Sequence, residues 1–144
     1  MTRQEKERLV QAAREARSRC YAPYSHFAVG AAVQGESGNI YTGCNIECAS
    51  FSATCCAERV AVYHAVMAGE KRLSAVAVAG GAQGDPVRGR TAPCGICRQV
   101  LSEFAASDMT VLMAVSEDAY EEVSLGSLLP MGFGPQDLQD TNDM

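Results

Sequence analysis

The feature that most constrains this chain is a set of three cysteines: Cys56, followed by Ala57-Glu58-Arg59, and the pair in Pro93-Cys94-Gly95-Ile96-Cys97. Thiols at these spacings can close three corners of a zinc tetrahedron and leave the fourth open for water. A carboxylate two residues after one ligand would stand beside that water, which is an arrangement for hydrolysis. The fold must therefore bring two distant segments together. Cys56 and Cys94 each open a predicted helix, where the dipole favours the thiolate form that a metal needs.

Other readings compete with this one. A structural zinc site has four protein ligands and no use for a carboxylate, and a lone Cys-x-x-Cys at a helix start also suits a redox dithiol. Glu58 separates the first two, although it also reads as an exposed glutamate favoured by the helix dipole. Three thiolates on Zn²⁺ leave a formal charge of −1, so Arg59 and Arg98, each directly following a site residue, are expected to donate to a ligand sulfur. Of the seven cysteines, Cys48 and Cys55 read as packing residues, as do His26 and His64 among the polar ones. An odd cysteine number, in a chain whose start lacks the apolar core of a signal peptide, argues against a disulfide framework and for a cytoplasmic protein.

The periodicity predicts a helix over residues 3–20, with Leu9, Ala13, Ala16 and Cys20 on one stripe and Thr2 with Glu5 as a capping box. Strands follow at about 27–34 and 39–42, and the short turn between them implies an antiparallel hairpin. A second helix runs from near Cys56 to a cap at Gly69, then a buried strand over 74–79. A third helix covers 94–104, with strands at 110–115 and 121–124; the last connection is too short for a parallel crossover. This order predicts an α/β fold, a three-layer α/β/α sandwich around a mixed sheet of about five strands, in one domain spanning 1–144 with a polar tail from about 136.

The net charge of −5, with Lys and Arg scattered, speaks against a nucleic-acid partner and for a small neutral ligand. No apolar run is long enough to span a membrane. Asn45-Ile46-Glu47 places an amide and a carboxylate at i and i+2, on one side of an extended backbone. Such a pair suits a sugar hydroxyl, which both donates and accepts.

Cys56-x-Glu58 with Pro93-Cys94-x-x-Cys97 matches position for position a signature of zinc-dependent nucleobase deaminases. Beyond it, Tyr24-Ser25-His26-Phe27-Ala28-Val29-Gly30-Ala31-Ala32, Gly43-Cys44-Asn45-Ile46-Glu47 and Leu128-Leu129-Pro130…Phe133-Gly134-Pro135 make the chain resemble the small cytidine deaminases. The resemblance implies that Cys56, Cys94 and Cys97 hold one zinc per chain and that Glu58 shuttles protons. It further implies that Asn45 and Glu47 bind the ribose 3′-hydroxyl, that Phe27 packs on the pyrimidine, and that the Ala57 backbone meets the base. It also implies a homotetramer in which Phe133 completes a neighbour's pocket. Ala28, Cys48 and Phe51 stand where the family usually has proline, asparagine and often tyrosine.

The expected activity is hydrolytic deamination of cytidine and 2′-deoxycytidine to the uridines and ammonia, a step of pyrimidine salvage. Two rivals remain open at this point: deamination of another aminopyrimidine nucleoside, such as a blasticidin-like antibiotic, and a zinc-stabilised binding module without turnover.

Overall fold

The computed structural model describes residues 1–142 and places their hydrophobic residues in two layers, one on each face of a five-stranded sheet. The elements are α1 (Arg3–Ala16), β1 (Phe27–Gly35), β2 (Ile40–Cys44), α2 (Ala57–Met67), β3 (Leu73–Ala82), α3 (Gly95–Phe104), β4 (Thr110–Ala114), β5 (Tyr120–Ser124), α4 (Leu125–Leu128) and α5 (Pro135–Asn142). The strand order is β2-β1-β3-β4-β5. β3 and β4 are parallel, joined through α3, while the other neighbours are antiparallel. This is the predicted α/β/α sandwich around a mixed sheet.

Strand periodicity sorts the side chains. Along β3, Val76 and Val78 pack beneath α2 and α3, while Ala75, Ala77 and Ala79 face α1. The strand is buried on both faces, which explains its unbroken run of Val and Ala. Leu101 of α3 is fully buried in the α2–α3 layer, so the helix carrying Cys97 is anchored one turn beyond the cysteine. Burying such a leucine is worth about 1.5–3 kcal/mol.

Two glycines place and end the helix that carries the first cysteine. A Cβ on Gly43 of β2 would lie 2.6 Å from the Ala57 carbonyl oxygen and 2.4 Å from the Ala61 nitrogen, so only glycine lets the first turns of α2 lie on the strand. Gly69 ends α2 with φ +106°; its N–H donates to Val66 and that of Glu70 to Ala65, a Schellman cap.

Several boundaries differ from those read in the sequence. The first helix ends at Ala16 rather than near Cys20, and Arg17–Arg19 tighten into a 3₁₀ turn. The cause is Arg17, which turns inward, donating from Nε to the Ala28 carbonyl at 3.0 Å and from Nη2 to that of Ala82 at 3.2 Å. β2 is shifted to Ile40–Cys44, and β3 runs on to Ala82 because Gly80 and Gly81 pair with Val29 and Ala28. The segment read as a polar tail from residue 136 begins inside helix α5, and a short α4 follows β5 directly.

Candidate active site

Two helix N-termini converge where β1 and β2 leave the sheet. Cys56 is the N-cap of α2 and Cys94 the N-cap of α3; neither side chain caps its helix, so both sulfurs are free to point elsewhere. Cys97 lies three residues on from Cys94, fully buried. The three Sγ atoms lie within 4.8 Å of one another, and Cys56 Sγ is 3.7 Å from Cys94 Sγ. A tetrahedral zinc with Zn–S bonds of about 2.3 Å has S···S edges of about 3.8 Å. The donors therefore fit that ion in kind and spacing.

One thiol of the cluster, Cys56, is tuned toward thiolate. The Cys97 thiol hydrogen-bonds to Cys56, the largest reason that Cys56 is lowered to about 5, with Arg59 and Cys94 contributing further. Cys97 correspondingly is pushed up by holding that proton and by burial. Arg59 donates from Nη2 to Cys56 Sγ at 3.5 Å and to the Thr54 carbonyl at 3.4 Å. Its Nε is buried and has no partner among the described residues.

Arg98 corrects the sequence reading. It donates to the carbonyls of Pro93 at 2.7 Å and Leu128 at 2.9 Å, not to a ligand sulfur. Four residues on from Cys94 along the helix, the guanidinium reaches the carbonyls of Pro93 and of Leu128 at the end of α4, so it braces the loop that presents Pro93 and Cys94.

Glu58 is not an exposed helix glutamate. Only 4% of its surface is accessible, and burial raises its pKa to about 7, with the neighbouring Cys56 charge acting in the same direction. It faces a cleft of ≈ 250 Å³ that also touches Cys56, Cys94, Phe27, Asn45 and Glu47. Ala57 lines the same cleft. The residues expected to hold metal, proton, base and sugar thus share one cavity, except Cys97, which is buried against the Cys56 and Cys94 sulfurs, and Phe133. Phe133 is 60% exposed and lines a separate hollow of ≈ 560 Å³ with Leu129 and Arg72, not its own chain's cleft.

The Asn-x-Glu pair is more committed than its sequence implied. Asn45 donates from Nδ2 to the Phe27 carbonyl at 2.8 Å and accepts from the Val29 N–H at 2.9 Å. Glu47 accepts from the N–H groups of Tyr24 and Ser25 at 3.0 and 3.1 Å and from the Ser25 hydroxyl. The Ser25 hydrogen bonds are the main reason that the Glu47 pKa is lowered. Each side chain keeps hydrogen-bonding capacity toward the cleft: one N–H on Asn45 and lone pairs on Glu47.

Sequence reasoning missed Thr54, Ser25, Val29, Thr91 and Ala92, which complete the lining. The signal for Thr54 was its i, i+2 spacing to Cys56, the same alternation that put Asn45 beside Glu47.

The family model described as "Cytidine and deoxycytidylate deaminase zinc-binding region" matches residues 3–113. A cytidine deaminase of Sporosarcina psychrophila is 43% identical over 132 residues, covering 92% of this chain and 93% of that protein. The chain belongs to the cytidine deaminase family. Another member, from Halalkalibacterium halodurans, is 37% identical over 94% of this chain and 99% of its own. The crystal structure of the cytidine deaminase from Burkholderia pseudomallei superposes with a TM-score of 0.81 at 39% identity, covering 92% of this chain and 100% of that one. As in any member of this zinc-binding family, a metal has to be accommodated, and the Cys56, Cys94 and Cys97 sulfurs form the group that can hold it.

Proposed function

We propose that this protein hydrolytically deaminates cytidine and 2′-deoxycytidine, giving uridine or 2′-deoxyuridine and ammonia. The observation that carries the reading is the buried Glu58 carboxyl lining the same cleft as Cys56, Cys94 and the Asn45–Glu47 pair, with Cys97 buried behind the two cysteines in one metal-competent cluster. A structural zinc site or a binding module has no need of a buried acid beside the metal. No Lys or Arg lines the cleft or the chamber beside it among the described residues, so a substrate phosphate would find no counter-charge on these walls. This favours nucleosides over nucleotides.

Cys56, Cys94 and Cys97 would hold zinc, which when bound supplies the Lewis acidity that brings a water's pKa near neutrality. Glu58, with an affinity for protons near neutral, accepts a proton and delivers it to N3 of the pyrimidine as oxygen adds at C4. It then takes the proton of the new C4 hydroxyl and passes it to the departing amine, so the C4 carbonyl forms as the C4–N bond breaks, with one water consumed and one ammonia released. Phe27 packs on the base, the Ala57 backbone meets its edge, and Asn45 and Glu47 hold the ribose 3′-hydroxyl. Arg59 draws charge from Cys56, which keeps three anionic ligands compatible with an acidifying metal.

The assembly that completes this site is a homotetramer in which Phe133 closes a neighbour's cleft. Its outward position, away from its own cleft, supports that role. No helix among the described residues is long and apolar enough to cross a membrane, and the cytoplasm is the proposed compartment. The test is the absorbance change when cytidine is added to zinc-loaded protein, with ammonia measured in parallel. Absence of turnover with one zinc bound per chain would instead favour the binding module.

A further inference from the structure

The walls of the cleft are tied by a short antiparallel ladder. Ile46 and Cys55 exchange both backbone hydrogen bonds, at 3.0 and 2.9 Å. That register sets Glu47 opposite Thr54 and Asn45 opposite Cys56, and side chains directly opposite share one face about 4.5–5.5 Å apart. All four line the cleft. Thr54, Glu47 and Ser25 also line an outer chamber of ≈ 340 Å³ beside Tyr24 and Phe51, so these three polar side chains form the seam between the two spaces.

The hydrogens at the seam can be accounted for one by one. The Ser25 hydroxyl spends its hydrogen on Glu47 and accepts from the Phe27 N–H at 3.0 Å. Glu47 is an acceptor only; its Oε2 takes the Ser25 hydrogen and keeps a second lone pair. The Thr54 hydroxyl accepts from the Cys48 N–H at 3.1 Å, and its own hydrogen has no acceptor among the described residues. One rung of the ladder therefore offers a carboxylate acceptor and an unspent O–H donor side by side. A ligand hydroxyl satisfies both at once, because it donates to one and accepts from the other.

We propose that Thr54 is a specificity-determining residue, donating from its hydroxyl to the same sugar hydroxyl whose hydrogen Glu47 accepts. The inference rests on the nucleoside reading above and assigns that hydroxyl as the 3′. Thr54 supplies the donor that Asn45, with one N–H already given to Phe27, would otherwise supply alone. A merely structural Thr54, holding the Cys48 N–H, would affect every substrate alike.

Cytidine and 3′-deoxycytidine are compared on zinc-loaded wild-type protein and on Thr54→Val, which keeps the shape and removes the donor. The expected result is a fall in kcat/KM for cytidine of about threefold to tenfold, carried mainly by KM, with no comparable loss on 3′-deoxycytidine. Thr54→Ser should restore the wild-type ratio. Equal losses on both substrates, or failure of the serine variant to restore the ratio, would overturn the role of Thr54 while leaving the sugar reading standing. If wild-type protein itself does not prefer cytidine over 3′-deoxycytidine, the sugar reading falls and this assignment with it. Should Thr54→Val not fold, Thr54→Ala is read by the same ratio.

Discussion

Arg59 donates to the Sγ of Cys56 at 3.5 Å while its own Nε is buried without a partner among the described residues. A partly desolvated guanidinium is costly unless it is paired, and the Cys56 sulfur that its Nη2 meets is the group lowered toward thiolate. Arg59 is therefore set against a thiolate rather than a thiol, and removing it should weaken metal retention. Arg59→Gln should lose about 10–100-fold in zinc affinity, measured by chelator competition. Unchanged affinity would reduce Arg59 to a brace on the Thr54 carbonyl.

Metal content follows from the donor set. Only Cys56, Cys94 and Cys97 cluster among the described residues, so one zinc per chain with three sulfurs and one light atom is expected from X-ray absorption. Four sulfurs would recruit a fourth cysteine and turn the site into a closed, structural one.

Glu58→Gln keeps the shape of the side chain and removes its proton chemistry. General acid–base catalysis is typically worth about 10²–10⁴-fold, and in the proposed mechanism Glu58 handles more than one transfer, so kcat should fall by at least that range with zinc retained. A variant with a tenth of parent activity would mean that another group moves the protons.

Asn45 is buried and bonded at both ends to the β1 backbone, so it has a cost to stability as well as to binding. Asn45→Ala strands the Phe27 carbonyl and the Val29 N–H, and each buried unsatisfied group costs about 1–3 kcal/mol. The melting temperature should drop by several degrees, and cytidine turnover should fall with it. A variant as stable as the parent would show that water replaces the amide.

Phe133 separates the one-chain from the many-chain site. If its ring closes a neighbour's cleft, Phe133→Ala should raise KM for cytidine or shift the assembly toward smaller species by light scattering. A fully active monomeric parent protein would exclude that role outright.

The metal site was legible in the sequence because its chemistry is local: three thiols and a carboxylate at fixed offsets from two helix starts. The sheet was legible for a similar reason, since the short turns before β2 and β5 leave only antiparallel pairing and the long stretch from β3 to β4 leaves room for a crossover. Side-chain allegiance was not legible. Arg59 and Arg98 follow their neighbours in the same way, yet one reaches a sulfur and the other two carbonyls, because only the packed chain fixes which open group each guanidinium meets. The end of α1 was decided likewise by Arg17 reaching across to β1 and β3. Thr54 gained a place in the cleft only through the pairing of Ile46 with Cys55, a contact made by backbone atoms that every residue carries. Residue type determined what chemistry this chain can do, and tertiary contacts determined which copies of each residue type do it, because hydrogen bonds are assigned by proximity after the core has packed.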